Sequence, residues 1–239
     1  MKFSLRDERP APAPWPQEEG GRWCCAEDAA GQLLAAVHLQ PEAGRSRARY
    51  SFHLGRVVHA APDLGLHQVQ TTLQLGHDAT GEAELSGLFL APALTARMAA
   101  DPAQTLAVLG ALLQQALACL DSPAPLVIVE LPGWRNADGR SPFWDGLVQH
   151  FLPAGTPVDA YWAQRLGPAF STHLGAMLPR QLIHAAFLPA AAQQALGRCD
   201  AAYAPWLAAL QRAGFADWRH CRIEDGGPLL ALARADRPV

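Results

Sequence analysis

Lysine is almost absent from this sequence: Lys2 is the only one among 19 basic residues, and arginine supplies the rest. Schiff-base chemistry on a lysine is therefore excluded, unless it uses the first residues of the chain. The basic residues are outnumbered by 22 acidic ones, so the formal net charge is 19 − 22 = −3, and no basic block is present. Because nucleic-acid binding depends on neutralising phosphates, we expect no nucleic-acid partner.

Long hydrophobic runs are also missing from the sequence. No stretch approaches the ~20 apolar residues that are needed to cross a bilayer. The first residues lack the apolar segment that is typical of a signal peptide. We therefore expect no membrane partner and a cytoplasmic location.

Cysteines and common motifs give little indication of chemistry. The five cysteines are an odd number without a CxxC pair, which favours neither a disulfide framework nor a zinc site. No pair among the nine histidines has helical metal-ligand spacing with a third ligand nearby. The glycine-rich nucleotide loops, the HExxH zinc motif and the GxSxG nucleophile motif are absent as well. We therefore expect no metal site.

Half of the 239 residues are apolar and 17% are charged, which is enough to bury the core of one large domain or two small ones. Four prolines within residues 1–21 predict a flexible, extended arm. SPFWDGLVQHF at 141–151 and APWLAALQRAGF at 204–215 both begin with a small residue, a proline and an aromatic residue, and both end on Phe. This internal similarity predicts two related halves, 22–152 and a smaller one at 153–239.

The first half is rich in strand signals. Runs of β-branched and aromatic residues alternate with Asp- and Gly-containing turns, which predicts four or five sequential strands in an antiparallel meander. The predicted strands are 22–27, 32–39, 49–60, 69–75 and 83–90.

A helix and a buried strand follow the meander. Asp101 is suited to the N-cap of this helix, Pro102 to its first position and Gln104 to the third, and leucines then repeat at helical spacing. LVIVE at 126–130 is an almost continuous apolar run, typical of an interior strand in a β–α–β unit. Further elements are predicted as helices at 141–151 and 201–213 and as a strand at 222–232. The predicted fold class is mixed α/β (α+β).

Six blocks of sequence stand out in order along the chain. They are YSFHLGRVVHA (50–60), DATGEAELSGLFLAP (78–92), VIVELPGWRNADGRSPFW (127–144), the FLPAAA–ALG segment (187–197), APWLAALQRAGF (204–215) and EDGGP (224–228). In this order and at this spacing the blocks resemble the arginine N-succinyltransferase family, a branch of the GNAT acyltransferase superfamily. SPFW after a strand, together with the late DGGP, is the most specific part. The resemblance covers about residues 23–232.

The resemblance implies a GNAT-like fold with two related halves and a defined reaction. Members of this family transfer the succinyl group of succinyl-CoA to the α-amine of arginine or ornithine, without a metal. For this chain the resemblance implies an acyl-CoA and a small-molecule amine as ligands, and a homo- or hetero-oligomer as the assembly. It places Leu88, Phe89 and Arg97 at the acyl-CoA site, and Asp200 at the position of the family's proton-donating histidine.

Four further residues match family positions and are candidates for the site. His59 is a candidate catalytic residue in contact with a ligand, although a histidine at a β-edge with its hydrogen bonds satisfied is an equal alternative. Asp78, Glu84 and Glu130 are candidates for substrate binding. For the two glutamates, one interpretation is recognition of the substrate guanidinium or amine by a carboxylate. The other is pairing of a strand-end carboxylate with an arginine of the chain itself.

Two departures from the family pattern favour a different function. GNAT enzymes bind the CoA diphosphate with an R/Q–x–x–G–x–G loop at a helix N-terminus. The corresponding segment here, residues 97–102, has no glycine. Asp200 replaces the histidine, and His184 or His220 is a candidate substitute. The alternative function is a non-catalytic binding or partner subunit, and a third possibility is acyl transfer from a donor other than CoA.

Overall fold

The computed structural model describes residues 1–13, 21–98, 101–153, 166–167 and 169–234, except for the side chains of residues 97 and 98. Its strands are β1 Lys2–Arg6, β2 Arg22–Glu27, β3 Leu33–Gln40, β4 Ser51–Ala61, β5 Leu66–Gly76, β6 Ala83–Leu90, β7 Leu126–Glu130, β8 Ile183–His184, β9 Ala216–Arg222 and β10 Pro228–Ala233. All ten belong to one sheet, in the order β1-β2-β3-β6-β7-β10-β9-β4-β5-β8.

Six α-helices lie within the described residues, which confirms the mixed α/β class. They are α1 Pro92–Met98, α2 Pro102–Cys119, α3 Pro142–Gly146, α4 Ala169–Met177, α5 Ala190–Ala195 and α6 Ala204–Arg212. None of the helices in the described part is both long and apolar enough to span a bilayer.

The predicted β–α–β unit is confirmed. Strands β6 and β7 run parallel, and α1 and α2 connect them. Helix α2 begins as its sequence indicates, because the Asp101 carboxylate accepts a hydrogen bond from the Gln104 N–H at 3.0 Å. Its buried side chains include Leu109, Leu112 and Leu113, which pack into the main core.

The predicted meander is wrong in its order. Strands β1, β2, β3 and β6 are antiparallel neighbours, but β4 and β5 lie across the sheet between β9 and β8. The physical reason is burial: Phe52, Leu73 and Leu75 pack with the side chains of α3, α4 and α5 in a second core. Strand β9 was not predicted, and the predicted strand at 222–232 corresponds to β10 and the turn before it.

The flexible arm is wrong for residues 2–6, because they form β1 and pair with β2. Phe3 and Leu5 pack against the main core, and the Arg6 guanidinium forms an ion pair with the Glu27 carboxylate. Residues 14–20 of the predicted arm lie outside the described residues.

The described residues form two large core clusters, and both draw on residues before and after position 152. The main cluster joins β2, β3, β6, β7 and α2 to Trp206 and Leu230. The second joins β4 and β5 to α3, α4, α5 and Cys221. The predicted division into halves at 152 therefore coincides with neither core. The predicted helix at 141–151 is also interrupted: α3 ends at Gly146, and a 3₁₀ turn covers Val148–Phe151.

Candidate active site

Strand β6 carries a bulge at the position that the resemblance assigns to the acyl donor. Ser86 pairs with His38 of β3 and Phe89 pairs with Ala36, so Gly87 and Leu88 together face a single residue of β3. Gly87 has a φ of +60°, and a Cβ at this position would overlap the Trp23 ring. The bulge therefore requires glycine, since only glycine adopts this backbone conformation at low cost and leaves room for the indole.

Strands β6 and β7 separate directly beside the bulge. Their parallel pairing ends at Leu85 and Val129, whereas β6 continues for five more residues to Leu90. Among the described strands, only β3 pairs with this last part of β6. The strand therefore presents an edge of backbone N–H and C=O groups beside the carboxyl end of β7, and such an edge can pair with an extended ligand.

The three residues expected at the acyl-CoA site differ in what they can offer. The Leu88 side chain is buried in the main core, so its backbone is the part that remains for a ligand. Phe89 packs against the small cluster of Trp23, Cys25 and Ala36. Arg97 lies in α1, and its side chain is outside the described part of the chain.

Buried charges surround the carboxyl end of β7. The Arg49 guanidinium lies 2.5 Å from the Glu84 carboxylate and 2.8 Å from the Glu130 carboxylate. All three side chains are at most 5% exposed. Of the two interpretations of these glutamates, the structure shows pairing with an arginine of the chain.

Arg222 joins this group from β9. Its Nε lies 3.3 Å from the Asp225 carboxylate, 3.5 Å from that of Glu224 and 4.0 Å from that of Glu130. Ser171 of α4 donates a further hydrogen bond to Glu224. Asp225 accepts from the Gly227 N–H at 3.1 Å, and Gly226 has a φ of +72°, so DGGP forms the expected positive-φ turn.

We call Arg49, Glu84, Glu130, Arg222, Glu224 and Asp225 the charged cluster. It holds four carboxylates and two guanidiniums, so its acidic groups are in excess. Burial raises the pKa of Glu130 to about 7, although Arg49 and Arg222 oppose the shift. Burial likewise raises the pKa of Asp225, against the effect of Arg222. A carboxyl whose pKa lies near neutrality, at the end of β7, is suited to accept and release a proton.

The structure also joins Asp78 to a histidine that lies 142 residues away in sequence. The Asp78 carboxylate is 2.9 Å from Nε2 of His220, and the Trp218 carbonyl is 2.8 Å from its Nδ1. The imidazole is nearly buried and stacks on the Trp218 ring at 4.0 Å. His53 lies beside it, with ring centroids 5.0 Å apart. Asp78 and His220 are separate candidates in the sequence, and no local signal connects them.

Two other candidates, His59 and His184, lie elsewhere in the sheet. His59 is exposed on β4, six residues beyond His53, or roughly 20 Å along the strand. The structure thus gives no support to a catalytic His59. His184 lies in β8, the last strand of the sheet.

Asp200 lies close to the end of β7, because its N–H donates to the Pro132 carbonyl at 2.8 Å. Its carboxylate accepts a hydrogen bond from the Ala202 N–H at 2.9 Å and caps the 3₁₀ turn Ala201–Tyr203. The carboxylate at the family's proton-donor position therefore has a local capping role. Metal ligation has no candidate either, since the described residues contain no group of three or more His, Cys, Asp or Glu side chains that could hold an ion.

Comparison with known proteins agrees with this architecture. The family model described as arginine N-succinyltransferase beta subunit matches residues 16–237. The arginine N-succinyltransferase subunit alpha of Pseudomonas aeruginosa is 30% identical over 214 residues, which cover 89% of this chain and 61% of that protein. The arginine N-succinyltransferase of Escherichia coli O1:K1 is 29% identical over 222 residues, covering 90% and 60% respectively.

Among solved structures, the arginine/ornithine succinyltransferase subunit AI from Pseudomonas aeruginosa matches with a TM-score of 0.61 and 25% identity, covering 89% of this chain and 59% of that chain. The chain thus spans about 60% of the length of these relatives. Since the family model matches nearly the whole sequence and the fold agrees, the chain belongs to the arginine N-succinyltransferase family.

Proposed function

We propose that this chain is an N-acyltransferase that moves a succinyl group from a CoA-type thioester to the α-amine of arginine, ornithine or a related amine. The observation that carries the proposal is the bulged β6, whose edge separates from β7 after Leu85. An extended thioester arm can pair with this edge as an added strand would. Its carbonyl would then lie beside the backbone of Gly87 and Leu88, and a backbone N–H there is suited to stabilise the oxyanion.

The reaction needs a group that takes the proton of the attacking amine. We assign this role to Glu130, because it lies at the end of β7 beside the separated strands and its pKa is raised to about 7. The amine nitrogen forms a bond to the thioester carbonyl carbon, the carbon–sulfur bond breaks, and the nitrogen's proton passes to the Glu130 carboxylate. The thiolate leaves and takes a proton from solvent. No proton step is assigned to Asp200, since its carboxylate caps a turn.

The acyl-pantetheine end of the donor suits this chain better than the diphosphate end does. The acyl and pantetheine portion suits the edge of β6 that no described strand pairs with on the β7 side. The diphosphate does not match the start of α2, where Pro102 has no N–H and the Asp101 carboxylate already occupies the Gln104 N–H. This same observation favours a second candidate function, a partner subunit that binds without catalysis.

We also propose that the chain works in the cytoplasm and assembles with another chain, either a second copy or a different subunit. The Pseudomonas aeruginosa relative is named subunit alpha and the matching family model is described as a beta subunit, which supports an assembly. Further support comes from the ribbon of residues 54–71, in which β4 and β5 extend beyond β9 and β8. Val58 and Val69 are directly paired on it and are 49% and 45% exposed.

A turnover assay tests the proposed function. Purified chain is incubated with succinyl-CoA and with arginine or ornithine, and both thiol release and the succinylated amine are measured. We expect turnover that Glu130→Gln lowers by at least about 100-fold, whereas Glu8→Gln, an exposed carboxylate-to-amide control, leaves it unchanged. Absence of any succinylated product would reject the enzyme and favour the partner subunit.

A further inference from the structure

The two helices that follow β6 both begin with a proline, and in each of them one further N–H group of the first turn already has a partner. A helix N-terminus binds phosphate through backbone N–H groups that have no partner within the helix. Helix α1 begins with Pro92, which has no N–H, and the Leu94 N–H donates to the Ala91 carbonyl at 2.9 Å. Helix α1 is only seven residues long, and with one N–H missing and one engaged it offers little to an anion.

Helix α2 also begins with a proline, and a side chain engages a further N–H group of its first turn. Pro102 occupies its first turn and has no N–H to donate. The Gln104 N–H donates to the Asp101 carboxylate at 3.0 Å. Asp101 is exposed, so its negative charge lies where a bound phosphate would come to rest and repels it.

The sequence around the two helix starts supplies little positive charge that could bind a phosphate instead. Residues 91–120 contain one cationic side chain, Arg97, and one anionic side chain, Asp101. Helix α2 itself carries no charged residue over its 18 positions. A diphosphate with several negative charges therefore meets almost no compensating charge along this segment.

The pantetheine part of a donor, unlike the diphosphate, has a suitable binding surface on β6. The β6 edge between Ser86 and Leu90 is free of a strand partner on the β7 side, among the described strands. Pantetheine is an extended chain with two amides, so it can exchange hydrogen bonds with such an edge. We propose that the chain recognises its donor through the acyl group and the pantetheine arm alone, so that its donors are pantetheine thioesters whether or not a nucleotide is attached. This inference rests on the proposed function and adds the donor class to it.

Calorimetric titration of the full chain with CoA and with pantetheine tests the inference. We expect dissociation constants that agree within about three-fold, because the nucleotide contributes little. Binding of CoA that is tighter than that of pantetheine by more than this margin would overturn the inference. Binding of neither ligand would overturn it too, because no pantetheine site would exist.

Turnover with succinyl-CoA and with succinyl-pantetheine separates this inference from the proposed function. Equal binding without turnover of either thioester would reject the enzyme and leave the pantetheine site standing. Turnover of succinyl-CoA with a strong preference over succinyl-pantetheine would keep the enzyme and reject the inference.

A charge variant tests the part played by Asp101. Asp101→Asn keeps an N-cap side chain but removes the charge, so the helix is retained. We expect CoA to bind about three-fold more tightly at low ionic strength and the gain to vanish in about 0.5 M salt, while pantetheine binding stays the same. Asp63→Asn, on the exposed turn between β4 and β5, is the matched control and changes neither ligand. A CoA affinity equal in the two variants would overturn the role of Asp101.

Discussion

Glu130 offers the most direct test of how burial sets the chemistry of the charged cluster. Its side chain is 5% exposed, and it lies 2.8 Å from the Arg49 guanidinium and 4.0 Å from that of Arg222. Replacement by glutamine keeps the shape and one carbonyl oxygen but removes the titratable charge. Arg49 keeps Glu84 as a partner at 2.5 Å, so no guanidinium is left without a carboxylate.

The direction of the pH effect follows from the pKa of Glu130. Burial raises this pKa from 4.5 to about 7, so the folded chain holds the proton more tightly than the unfolded chain does. As the pH rises above about 4.5, the unfolded chain ionises first, and the free energy of unfolding falls until the pH passes about 7. A difference of about 2.5 pKa units, at 1.36 kcal/mol each, corresponds to about 3 kcal/mol. Most of this, about 2 kcal/mol or more, falls between about pH 5 and pH 8.

Urea unfolding followed by tryptophan fluorescence measures the effect, since Trp23, Trp144 and Trp206 are all buried. We compare the free energy of unfolding of Glu130→Gln with that of the unchanged chain. The value for the variant minus the value for the unchanged chain should increase by about 2 kcal/mol between about pH 5 and pH 8, because only the unchanged chain loses stability through Glu130. Asp225, whose pKa is also raised by burial, contributes to both chains and largely cancels in the difference. Glu8→Gln should show no pH-dependent difference. If the difference in free energy of unfolding for Glu130→Gln also does not change with pH, the reasoning is refuted.

Three other changes have defined outcomes. Gly87→Ala should lower the free energy of unfolding by about 2 kcal/mol or more, because φ is +60° and the new Cβ meets the Trp23 ring; an unchanged urea midpoint would contradict this. Asp101→Ala removes the cap on Gln104 and should cost about 1 kcal/mol in thermal or urea unfolding, whereas Asp101→Asn should cost little. Serine at both Val58 and Val69 should lower the molar mass measured by light scattering, and an unchanged mass would exclude this face of the ribbon from the assembly.

Local signals predicted the elements whose structure is decided locally. The start of α2 follows from Asp101, Pro102 and Gln104, because an N-cap is formed within one turn of chain. Strand β7 at Leu126–Glu130 follows from its apolar run, and its parallel pairing with β6 from the helices between them. The prediction failed for β9, whose sequence ADWRHCR has neither an apolar run nor a clean alternation.

The placement of strands in the sheet required the packed structure. Strands β4 and β5 are as good candidates for a meander as β2 and β3, and their turn chemistry does not distinguish the two arrangements. What separates them from β3 and β6 is the burial of Phe52, Leu73 and Leu75 against helices that come about 70 to 140 residues later. No window of sequence contains both sides of that contact.

The sequence by itself determined the family, the class of fold, the capped start of α2 at Asp101 and Pro102, and the absence of glycine from residues 97–102. Only the tertiary structure decided what the candidate acids do. Glu84 and Glu130 are matched to the family in sequence, yet they meet Arg49 from 35 and 81 residues away, and Asp78 meets His220 across 142 residues. Caps and turns are decided by neighbours along the chain, whereas the charge state of a buried acid is decided by the strands that enclose it.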